Sequence, residues 1–230
     1  MNEWNLGDFI AQSCLIDKQF DEFGGLVPGA KPGDPMYDRH LAALEVAEEI
    51  FTAYMLGSSV SLPEDFALDI HRALTRGLEV FERENASGRY RTHDVSILRT
   101  IHAVSVNPVT VVKTYTEENG DVICVAPVGQ VVRLMRERWV PEVASRLSAG
   151  VGTRESALSA AFWCHDFFEC IHPFIDGNGR TGRVIMAGIT LALGFEPVVI
   201  WKADQYRYYD KIDKWRAAYY AQSCAAREAG

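Results

Sequence analysis

The chain has 230 residues, 48% of them hydrophobic, and a formal net charge of −8. That length suits one domain with an ample buried core, and the acidic balance argues against nucleic acid as the main partner. No run is apolar for long enough to cross a bilayer, and the polar start Met1-Asn-Glu-Trp-Asn lacks a signal-type stretch, so a cytoplasmic location without membrane attachment is expected; leaderless export stays open.

Five cysteines are scattered with no CxxC pair, which argues against a zinc cage or a thioredoxin-like site and fits reduced thiols. Residues 1–35 read as an N-terminal arm and loop, because 24–35 concentrate four glycines and three prolines. Residues 36–230 read as the main domain. Helical spacing runs over 38–55 (Leu41, Leu44, Ala47, Phe51) and again over 62–84 (Phe66, Ile70, Leu74, Leu78, Phe81). The β-branched runs 109–116 and 122–125 flank Asn119-Gly120 and predict a hairpin with a tight turn. Helical spacing returns at 127–147. The run 154–171 is apolar on nearly every face and belongs at the centre of a bundle. Another helix follows from about 184 and stops at Gly194, and a last one occupies 203–228, with Tyr206 to Trp215 mostly core.

Between the central helix and its successor lies His172-Pro-Phe-Ile-Asp-Gly-Asn-Gly-Arg-Thr-Gly-Arg183. Glycines at 177 and 179 allow a tight turn and close backbone approach to an anion. The loop runs into a helix N-terminus, where unpaired N–H groups and the macrodipole favour negative charge. Arg180 and Arg183 are three apart and can reach the same anion, with guanidinium forks that suit phosphate oxygens. Asp176 is a hard oxygen ligand of the kind Mg²⁺ uses beside phosphates. His172 can accept a proton from an attacking hydroxyl. Together these residue types fit phosphoryl or nucleotidyl transfer. His165 reads as a hydrogen-bonded core histidine, and His40, His71, His93 and His102 default to surface or packing roles.

The same twelve residues resemble the signature of the Fic family, His-Pro-Phe-x-Asp/Glu-Gly-Asn-Gly-Arg-x-x-Arg, with every defined position present. The likeness extends to the helix before it, to the helices after it and to Gly88-Arg-Tyr-Arg-Thr-His-Asp-Val95, covering roughly 66–215. It implies a mainly α fold, a helical bundle with a small β-hairpin flap beside the active site. It also implies a protein adenylyltransferase that moves AMP from ATP to a Ser, Thr or Tyr hydroxyl. By that likeness His172 is the general base, Asp176 holds Mg²⁺, and Asn178 with the amides near Gly177 and Gly179 holds the α-phosphate. Arg180 would contact the β-phosphate and Arg183 the γ-phosphate, while Phe174 anchors the loop. The target segment would bind along the 109–125 flap, and Tyr208 or Tyr209 are candidates to flank the base. Other donors (UTP, GTP or CDP-choline) are the first alternative, and a partner-bound toxin module, inactive at rest, is the second. A Doc-like phosphoryl transferase is disfavoured because Gly177, Gly179 and Arg183 are intact. The family's regulatory pattern Ser/Thr-x-x-x-Glu-Gly/Asn has one formal match, 114–119, read as accidental. Arg183 is therefore expected to be unengaged, with any inhibition supplied by a small antitoxin-like partner.

Overall fold

A computed structural model describes residues 6–16, 32–95, 99–102, 110–113 and 125–228. The chain is mainly helical. Helix α1 (Leu6–Ile16) precedes α2 (Pro35–Met55), which starts where Asp34 caps the Met36 N–H at 2.8 Å and Pro35 presets the first turn. The expected single helix over 62–84 is instead two, α3 (Phe66–Thr75) and α4 (Glu79–Arg83). The break falls at Gly77, whose φ of 74° lies in the left-handed region and cannot continue a helix.

Strand β1 (Arg99–His102) pairs antiparallel with β2 (Thr110–Lys113), Arg99 opposite Lys113 and His102 opposite Thr110. Strand β2 falls in the first half of the expected hairpin, but the partner found is 99–102, upstream. The proposed turn at 119–120 and its second strand lie outside the described residues, as does the 114–119 pattern.

A 3₁₀ turn (Val128–Gln130) leads into α5 (Val131–Leu134), which a π-helical segment, Met135–Trp139, joins to α6 (Val140–Ser148). Helix α7 (Arg154–Ile171) opens with a capping box between Thr153 and Ser156. Its bounds match the sequence expectation. Helices α8 (Asn178–Ala192) and α9 (Gln205–Glu228) complete the bundle. Helix α8 packs between α2 and α7 and is buried along almost its whole length, so the loop that starts it is fixed from both sides. Phe66 stacks on Trp139 at 5.1 Å between ring centres, and the Trp139 indole N–H donates to the Cys164 carbonyl at 2.9 Å. Each fully buried ring of this kind contributes about 2–3 kcal/mol. Phe9, Ile10 and Cys14 of α1 belong to the same core. Among the described residues, no helix is long and apolar enough to cross a membrane.

Candidate active site

Helix α7 ends at His172. Pro173 cannot follow on in a helix, and the residue before a proline is driven out of the right-handed helical region. His172 adopts φ 51° and ψ 62°, left-handed, while its N–H still donates to the Phe168 carbonyl at 2.9 Å. The chain thus leaves the helix at His172, whose ring nitrogen Nδ1 lies 3.7 Å from Glu169 Oε2.

The loop between them is braced on three sides. Phe174 is fully buried and stacks on His71 at 3.8 Å, as an anchoring role requires. The Asn178 side chain clasps Phe174 from both ends: Oδ1 accepts from its N–H and Nδ2 donates to its carbonyl, each at 2.9 Å. That clasp uses one of the two Nδ2 N–H groups of Asn178 and fixes the side chain against the loop. His71 holds the far side. Its Nδ1 accepts from the Gly88 N–H at 3.0 Å, so the proton sits on Nε2 and is donated to the Asp176 carbonyl at 3.1 Å. Burial, outweighing that bond, pushes His71 from its ordinary 6.5 down to about 4, which keeps the ring neutral. Packing was expected of His71; a grip on the loop was not.

Arg91, within the stretch 88–95 quoted above, has a role that the sequence pattern did not assign. Its Nε donates to the His172 carbonyl at 2.8 Å, and its N–H donates to the Pro173 carbonyl at 2.9 Å. The same guanidinium reaches the carbonyls of His93 and Ala126. It therefore ties both stems of the strand-bearing segment to the loop.

At the loop's end Gly177 takes φ 75°, and no side chain caps α8. The first-turn N–H groups of α8 have no intrahelical acceptor and form an anion-binding end. Gly179 lies within that first turn with right-handed backbone, so it supplies close approach rather than the turn itself. The Asp176 side chain is 71% exposed; its Oδ1 accepts from the Gly177 N–H at 2.6 Å and its Oδ2 lies 3.8 Å from an Arg180 nitrogen. Arg180 is buried to 4% exposure. Arg180, Arg183 and Arg39 of α2 all oppose a charge on His40, which burial first of all pushes down to about 3. Three cations are thus close enough to act on one buried ring of α2, and two of them, Arg180 and Arg183, belong to α8.

Arg183 is not unengaged. Its Nε donates to the Ser13 hydroxyl at 3.1 Å, one terminal nitrogen to the Ser13 carbonyl at 2.8 Å, and the other to the Tyr208 hydroxyl at 3.3 Å. The expectation fails because Ser13 is 170 residues away, on a helix whose docking no local pattern announced. Tyr208 is buried and bonded to His165 Nε2 at 2.7 Å, while His165 Nδ1 bonds to Asp166 at 2.9 Å. The hydrogen-bonded core reading of His165 holds, and Tyr208 serves this network.

A sequence profile described as the Fic/DOC family matches residues 61–189, more than half of the chain. The chain belongs to the Fic/DOC family. Among curated Fic relatives, Protein adenylyltransferase Fic of Drosophila erecta is 51% identical over 83 residues, 35% of this chain and 15% of its own length. That of Aedes aegypti is 50% identical over 42 residues, 18% of this chain and 8% of its own. The chain thus spans only a small part of these relatives. A Fic domain protein of Bacteroides thetaiotaomicron shares the fold at TM-score 0.58 and 18% identity, over 90% of this chain and 70% of that one. Fic-1 (residues 134–508) of C. elegans does so at TM-score 0.56 and 18% identity, over 94% and 57%. The mainly α Fic architecture is therefore this chain's fold.

Proposed function

We propose that this chain is a protein adenylyltransferase, moving AMP from ATP to a hydroxyl of a target protein. One observation carries the reading: His172, held in a left-handed turn, is joined through the braced loop 173–177 to the uncapped N-terminus of α8, whose first turn carries the buried Arg180. An imidazole next to an anion-binding helix end is what proton removal during transfer to phosphorus requires. The name shared by the curated relatives supports AMP as the group moved.

In this reading the α8 amides and Arg180 bind the phosphates, and Arg183 meets the terminal phosphate once Ser13 gives way. Among the described residues no three His, Cys, Asp or Glu side chains gather into a metal cage, while Asp176 presents one exposed carboxylate. That donor set fits magnesium, which takes one or two carboxylates together with phosphate oxygens and waters. Asp176 would hold it, and when bound it supplies charge neutralisation between the phosphates. The described residues give no observation that favours an antitoxin-like partner over the intramolecular contact from α1.

The test is intact-mass spectrometry of the purified chain incubated with magnesium and each nucleoside triphosphate, with and without candidate acceptors. An adenylyl adduct formed from ATP and absent in His172→Ala is expected, a loss of at least about 100-fold. Undiminished labelling by His172→Ala defeats the assignment, and an adduct formed only from another donor moves the reading to that donor.

A further inference from the structure

Glu169 lies in the last turn of α7, three residues before His172, and no role was assigned to it above. It is 6% exposed; Arg216, whose charge acts on the carboxylate, donates to the Glu169 backbone carbonyl at 3.0 Å. Its Oε1 is buried without a hydrogen bond, and so is His172 Nδ1. The two side chains face one another, Oε2 to Nδ1, at 3.7 Å. A buried carboxylate left unsatisfied is costly unless something turns toward it. Gly182 of α8 leaves room for this arrangement: a Cβ there would come within 3.0 Å of Glu169 Oε1 and 3.1 Å of the His165 ring.

We propose that Glu169 is the positioning partner of His172, accepting a hydrogen bond from Nδ1–H and so leaving Nε2 as the bare nitrogen that takes the hydroxyl proton. The proposal rests on the transferase reading above and deepens it. During transfer the target oxygen bonds to the α-phosphorus as the bond to the bridging oxygen breaks, and pyrophosphate departs. The hydroxyl proton passes to Nε2, and the imidazolium formed is stabilised by Glu169, which remains a carboxylate. The 3.7 Å separation is longer than a hydrogen bond, and the pairing requires it to shorten as the ring takes up the hydroxyl proton. The charges around Glu169 favour ionisation. Burial pushes its carboxyl up, but His172, His165 and Arg216 together outweigh that and hold it at about 2.

The experiment combines kinetics with ¹⁵N spectra of the imidazole, His172 being identified by its loss in His172→Ala. In the wild-type chain the His172 ring is expected in one tautomer, protonated at Nδ1. In Glu169→Gln the ring should exchange between both forms. That variant should lose about 10- to 100-fold in kcat with KM for the triphosphate unchanged, and Glu169→Asp should recover part of the loss. A wild-type ring protonated at Nε2, or a Glu169→Gln kcat equal to wild type, overturns the pairing. Should Glu169→Gln not fold, the wild-type spectrum alone decides. A chain that transfers nothing to any acceptor defeats the transferase reading instead, and the ring spectra then judge the pairing by themselves.

Discussion

His71 shows how a single buried ring sets both geometry and acid sensitivity. Its Nε2–H fixes the Asp176 carbonyl only while the ring is neutral with Nδ1 accepting from Gly88. Below pH 6.5 an unfolded chain takes up a proton that the folded ring refuses until about pH 4. The unfolded state then binds more protons, so stability is fully present above 6.5 and declines as pH falls through that window. The loss attributable to His71 is on the order of 3 kcal/mol. Urea denaturation at pH 7 and pH 4.5 should show a steep decline for wild type and a shallower one for His71→Gln, which retains the parts due to His40 and Glu169. Equal slopes would mean that His71 does not hold the loop as a neutral acceptor.

Among elements, α1 stands out because it does two things at once. Phe9 and Ile10 are packed into the shared core, while Ser13 occupies the fork of Arg183. Further bonds hold its far end: the Lys202 N–H donates to the Gln12 side chain and Gln205 donates to the Ile16 carbonyl. A triphosphate that uses Arg183 must therefore compete with a docked helix. Phe9→Ala should loosen that docking, costing about 3–5 kcal/mol of overall stability. It should also tighten ATP binding by isothermal titration at a temperature where the variant stays folded. Weaker or unchanged binding would show that Ser13 does not obstruct the nucleotide. Helix α7, by contrast, is held at both ends by local chemistry, the capping box at Thr153 and the proline after His172.

For the molecule as a whole, what could be read in the chain followed the range of the interactions. Helix α7 and the loop after it were legible because apolar spacing, proline and glycine act within a few residues. The single helix expected over 62–84 failed at one backbone angle, Gly77, which periodicity does not encode. Arg91 reaches His172 across 81 positions, and His71 reaches Asp176 across 105. Such partners exist only once the bundle has formed, so local spacing assigns neither residue its role, although Arg91 lies within the quoted stretch 88–95. Local pattern named the groups that touch substrate in the proposed reading, and tertiary packing chose the groups that aim them.

The left-handed backbone at His172 has a consequence for evolution of the sequence. A side chain with a Cβ costs about 1–2 kcal/mol at such angles, and glycine is the residue that helix ends of this kind ordinarily carry. His172→Gly should therefore resist urea better than His172→Ala by about 1 kcal/mol. Equal midpoints would mean that the turn is unstrained. Stability alone would favour glycine at this position, and the proposed chemistry supplies the reason for an imidazole there.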